Sequence, residues 1–150
     1  MNKWMLLVAL TACSSSKSDK PKAQLSVQAE SALDFAREQL PALDKALASS
    51  DPGAGSSICA MLKADSKYLR EADPALAETA EKRCGHDLAI RSLTVGAERA
   101  EAARKAQPTG HIFECSSRNS YEKMITAAGA EGDPALPAVR ERWAAACPAR

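Results

Sequence analysis

Residues 59–84 read CAMLKADSKYLREADPALAETAEKRC, and residues 115–147 read CSSRNSYEKMITAAGAEGDPALPAVRERWAAAC. In each stretch a cysteine begins a helix-patterned segment, Asp-Pro-Ala-Leu opens the next, and a second cysteine ends it. Asp73-Pro74 and Asp133-Pro134 suit the start of a helix. The Asp carboxylate accepts from amides that have no partner inside the helix, and proline, lacking an N–H, gives up nothing at the first position. Each stretch therefore reads as a helical hairpin with a cysteine at both open ends. This internal repeat, though confined to the cysteines and Asp-Pro-Ala-Leu, points to an all-α fold built from hairpins.

The flanking segments carry the same period. Ala29, Leu33, Ala36, Leu40, Leu43 and Leu47 step by three and four residues, an apolar stripe for a first helix. Pro41 falls inside that stripe and is expected to kink the helix or start a new segment. The stripe is short, so burial in the protein's own core is preferred to a coiled coil with a partner. Asp51-Pro52-Gly53-Ala54-Gly55 breaks the chain. A second helix then places Ile58, Met61, Leu62, Leu69 and Ala72 on one face, and a third carries Leu76, Ala77, Ala80 and Cys84. Gly85 is expected to end the third helix and Asp87 to cap a fourth, with Ile90, Leu93, Ala97 and Ala100 inward. After the loop Gln107-Pro108-Thr109-Gly110, a fifth helix carries Tyr121, Met124, Ile125 and Ala128. A sixth region carries Leu136, Val139, Trp143 and Cys147. The expectation is a bundle of about five or six helices over residues 23–150, with 31 alanines favouring close helix packing.

The amino terminus reads differently. Lys3 precedes an apolar run from Met5 to Leu10, too short for the roughly 20 residues that span a bilayer but suited to an export signal. Leu10-Thr11-Ala12-Cys13 follows directly. This resembles the lipobox of bacterial lipoproteins at all four positions. The resemblance implies a signal peptide over residues 1–12, cleavage between Ala12 and Cys13, and a lipid on Cys13 that anchors the chain in a membrane. One acyl chain anchors only marginally, whereas two or more hold. Ser14 follows the lipobox cysteine, in place of the Asp linked to inner-membrane retention, which favours the periplasmic face of an outer membrane in a Gram-negative cell. Residues 13–22 are polar apart from Cys13 and Pro21 and read as a disordered tether. No family resemblance extends to residues 23–150.

Export would place Cys59, Cys84, Cys115 and Cys147 in an oxidising compartment, where an even count suggests disulfides. Four cysteines allow three connectivities. The repeat favours Cys59–Cys84 and Cys115–Cys147, each stapling one hairpin. Loops of this size contribute roughly 3 kcal/mol apiece on the chain-entropy model.

The remaining chemistry is sparse. His86 and His111 lie near cysteines, so a zinc site is conceivable, but the tight Cys-x₂-Cys pair is missing and disulfides would consume the thiols. Neither a metal nor a cofactor is expected. The sequence has no Gly-rich phosphate loop, no Gly-x-Ser-x-Gly elbow and no Cys-x-x-Cys redox pair. Glu71, Asp73, Glu78 and Glu81 alternate with Lys67, Arg70, Lys82 and Arg83, and read as a solvated helix face, as do Glu98, Arg99, Glu101, Arg104 and Lys105. Twenty basic residues against 19 acidic ones leave no electrostatic footprint for nucleic acid. These features suggest a membrane-anchored, non-enzymatic interaction or structural module of the cell envelope, its partners the membrane and another envelope protein. The alternative is a small-molecule or metal-binding module with a pocket near His86 and His111.

Overall fold

The computed structural model describes residues 25–110 and 112–148, and every regular element among them is helical. The helices are α1 (Val27–Ala48), α2 (Gly53–Ala64), α3 (Ser66–Ala72), α4 (Pro74–Lys82), α5 (Leu88–Ala106), α6 (Arg118–Ala127) and α7 (Leu136–Ala146). A π-helical turn, Arg83–Asp87, joins α4 to α5, and a 3₁₀ turn, Phe113–Ser117, leads into α6. Because α4, the π turn and α5 run on without a break, six rods result.

Several starts follow the local signals. The Ser26 hydroxyl accepts from the Ala29 amide at 3.1 Å and caps α1. The Asp73 carboxylate accepts from the Leu76 amide at 3.0 Å, with Pro74 at the first turn of α4. The second Asp-Pro departs from its signal: Asp133 Oδ1 accepts from the Ala135 amide at 2.8 Å in a turn, and α7 begins only at Leu136, without a side-chain cap. The end of α6 is set by Gly129 at φ +62°. Its amide bonds to the Thr126 carbonyl and that of Ala130 to the Ile125 carbonyl. This double bond pattern closes a helix through one left-handed residue, a conformation glycine adopts without steric cost.

Several expectations need refining. Of the two outcomes open at Pro41, no new segment starts there, and α1 runs through it. The single missing N–H is outweighed because Ala36 and Leu43, on either side, are wholly buried against α2 and α3. The second helix is not continuous: Asp65, at φ −95° and ψ 4°, separates α2 from α3. Within α2, Met61 faces outward and is 45% exposed, while its neighbour Leu62 is buried. Gly85 does not end a helix and Asp87 does not cap one. The π turn carries the rod through both, and the Asp87 carboxylate is bound to side chains.

The rod divides the molecule into two halves. In the first, α1 lies on α2 and α3, and α3 packs on α4; the core contains Ala36, Leu43, Leu62, Leu69, Ala77 and Ala80 and ends at Leu88. In the second, α6 and α7 pack on α5; the core starts at Ala89 and includes Leu93, Ile125, Leu136 and Trp143. Met124 touches both cores. Adjacent residues of the rod, Leu88 and Ala89, thus belong to different cores, immediately after the π turn has inserted its extra residue per turn.

Trp143 organises the second half. It is fully buried, and its indole N–H donates to the Leu93 carbonyl at 3.0 Å. Its ring lies 6.2 Å from that of Tyr121. Gly96 on α5 admits both rings: a Cβ there would lie 2.6 Å from Tyr121 and 2.7 Å from Trp143. Among the described residues, no helix is long and apolar enough to cross a membrane.

Candidate functional site

The four cysteines of the helical region form the two expected pairs. Cys59 on α2 is bonded to Cys84 in the π turn, with Cα atoms 5.2 Å apart. Cys115 in the 3₁₀ turn is bonded to Cys147 at the end of α7, with Cα atoms 5.7 Å apart. Each half therefore carries its own staple. Ala12 and Cys13, with the signal and tether assigned to residues 1–22, lie outside the described residues, as does His111.

A groove of about 470 Å³ lies between α2–α3 and α4. Leu62, Leu69, Ala77 and Ala80 line it, together with the Cys59–Cys84 bond, and Lys63 and Glu81 also border it. Its size falls within the range of small-molecule sites. Glu81 is paired with Arg70 of α3. Lys63 is exposed.

Gly85 of the π turn borders the same groove, and the next residue, His86, begins a chain of charges. His86 Nδ1 lies 3.0 Å from Asp87 Oδ1, and Nε2 lies 3.1 Å from Asp133 Oδ2. The other oxygen of Asp87 accepts from Arg83 Nη1 at 3.1 Å, and Arg83 Nε lies 3.3 Å from Asp44 Oδ1 on α1. The chain Asp44–Arg83–Asp87–His86–Asp133 thus runs from the first helix of one half to the Asp-Pro corner of the other. Asp133 has two roles there, with Oδ1 capping the corner and Oδ2 facing the imidazole. His86 is not near a free thiolate, since Cys84 is in a disulfide. Among the described residues, no group of three or more His, Cys, Asp and Glu side chains is placed to hold a metal.

Of the α5 face expected to be solvated, Glu98 and Lys105 are exposed, whereas Arg99, Glu101 and Arg104, with Arg91 beside them, make tertiary contacts. Arg91 donates to the Ser49 carbonyl at 2.7 Å and Arg99 to the Ser50 carbonyl at 2.8 Å, both just past the end of α1. Arg104 donates to the Ala146 carbonyl at 2.8 Å, in the last turn of α7, and to the Gly110 carbonyl at 3.1 Å. Cations at these positions satisfy orphan carbonyls and complement the helix dipoles. Glu101 pairs with Arg142 on α7 through two bonds of 2.8 and 2.7 Å, and Glu122 on α6 pairs with Arg140 on α7. Hydrogen bonding from Arg142 lowers the Glu101 pKa below the usual carboxylate range, and hydrogen bonding from Arg140 does the same for Glu122. The carboxylates of α3 and α4 fit the solvated reading better. Glu71 and Glu78 are exposed, and Asp73 is the half-buried cap.

No protein family matches the chain, and no curated protein or solved structure matches it.

Proposed function

We propose that this chain is a lipid-anchored protein of the bacterial cell envelope whose helical region serves as a non-enzymatic interaction module. The observation that carries the reading is the pairing of all four cysteines of the helical region, one disulfide in each half. Structural disulfides form and persist outside the cytoplasm. That is where the lipobox-like Leu10-Thr11-Ala12-Cys13 would deliver the chain. The tether over residues 13–22 would let the folded region reach a partner from the membrane surface. The periplasmic face of an outer membrane is the favoured address, because Ser14 follows the lipobox cysteine.

The test is metabolic labelling with an alkyne-bearing palmitate, comparing the wild type with Cys13→Ser. The wild type should take up label and partition into detergent, and the variant should do neither. A wild-type chain that stays unlabelled and in the aqueous phase would refute the anchor. Cross-linking from the membrane-bound wild type then tests the interaction role, and the absence of any cross-linked envelope protein would count against it.

The apolar groove of about 470 Å³ favours a second reading, a module that binds a small apolar molecule. Displacement of an environment-sensitive apolar dye by an envelope extract, lost on Ala77→Trp, would support it over the first.

A further inference from the structure

We propose that His86 is a proton-dependent clasp between the two halves of the molecule. The argument rests on where its two ring nitrogens point. Each lies within hydrogen-bond distance of a different carboxylate, Asp87 at 3.0 Å and Asp133 at 3.1 Å. Only the imidazolium carries a proton on both nitrogens. The neutral ring can donate to one carboxylate and must turn a lone pair toward the other. Protonation therefore closes a contact that deprotonation opens.

The surrounding charges sharpen this. The network holds three carboxylates, Asp44, Asp87 and Asp133, and one guanidinium, Arg83. The neutral ring leaves two net negative charges in a cluster where Asp133 is only 15% exposed. The imidazolium halves that excess. Among the described residues, the ion pairs of this cluster include one cation, Arg83. Ala128, just past α6, is the nearest side chain to Gly85, and Met124 of α6 is apolar. From α2 comes the disulfide-bonded Cys59, while Lys63 and Glu81 border the groove that Gly85 shares.

The location gives the clasp its consequence. Asp87 belongs to the rod common to both halves, whereas Asp133 belongs to the corner between α6 and α7. Losing the Asp133 contact would release that corner from the π turn while both disulfides stay intact. The two halves should then be joined more loosely at neutral pH than at mildly acidic pH.

The test is a double-mutant cycle between His86→Gln and Asp133→Asn in the full chain, read as thermal midpoints at about pH 5 and about pH 8. Asn keeps an oxygen for the Ala135 amide while removing the charge that faces the ring, so the corner should still form. The His86→Gln cost in Tm should be larger at the acidic pH by about 3 °C, the scale of one partly exposed charge-assisted bond in a domain of this size. The coupling between positions 86 and 133 should show the same pH dependence. Amide protection factors over residues 130–136, corrected for the intrinsic rise of exchange with pH, should also fall in the wild type on going to the higher pH, and not in His86→Gln. Equal His86→Gln costs at both pH values would overturn the proposal. So would a pH-dependent cost that survives unchanged in the Asp133→Asn background, since the clasp would then not reach the second half.

Discussion

Gly85 and Gly96 lie eleven positions apart on one continuous helical rod, yet replacing each by alanine should move stability in opposite directions. Neither has a positive φ, so backbone strain does not enter. In both cases the alanine gains up to about 1 kcal/mol from helix propensity. At Gly85 the nearest heavy atom to a new Cβ is the Ala128 methyl at 4.0 Å, an ordinary contact, so the gain should be kept. At Gly96 the new Cβ would meet Tyr121 at 2.6 Å and Trp143 at 2.7 Å. Trp143 is wholly buried and its indole is held by the Leu93 carbonyl, so it cannot move aside freely. Overpacking of this kind costs about 1–3 kcal/mol, enough to exceed the propensity gain. With roughly 3–6 °C of Tm per kcal/mol for a domain of this size, Gly96→Ala should melt about 5 °C lower and Gly85→Ala about 3 °C higher. Far-UV circular dichroism melts measure both, and near-UV spectra report whether the Tyr121–Trp143 pair has been displaced. Shifts of the same sign in the two variants would refute the packing argument, as would a Gly96→Ala protein more stable than the wild type.

Two further predictions concern covalent and ionic links. Replacing Cys59 and Cys84 together by serine, or Cys115 and Cys147 together, should each cost about 3.5 kcal/mol on the chain-entropy model, seen in urea melts. Peptide mapping without reductant should recover only the 59–84 and 115–147 pairs, and mixed pairs would contradict the stapled halves. The pKa values of Glu101 and Glu122 are depressed by Arg142 and Arg140 in the folded chain. Their contribution to stability is therefore fully present above the unfolded carboxylate pKa and is lost as pH falls through the lower folded value. Arg140→Gln with Arg142→Gln should reduce stability near neutrality and flatten its decline below about pH 4.3, the unfolded glutamate range. An acid limb unchanged by the double substitution would show that the loss arises elsewhere.

What could be read without the structure was local. Asp73-Pro74 specifies a helix start because the cap, the proline and the amide it serves lie within four residues. The cysteine pairing was readable for a related reason, since a hairpin with cysteines at its open ends brings them together whatever lies around it. The steps of three and four placed Ala29, Ala36, Leu43, Leu93, Ala97 and Trp143 correctly in the interior.

The departures all depend on distant residues. Pro41 sits inside a helix because α2 and α3 cover the faces on either side of it. Gly85 lies inside a continuous rod, with Ala128 from beyond α6 packed beside it. Arg99 and Arg104 of α5 read as part of a solvated face, yet they bond to carbonyls 49 and 42 residues away in the chain. No period or spacing announces such a contact, because it forms only after the helices have packed. The sequence by itself therefore determined helix, cap and staple, whose partners are near neighbours or are brought together by a single hairpin. The tertiary structure alone decided how the halves join, because the charges that join them come from α1, the π turn and the corner before α7.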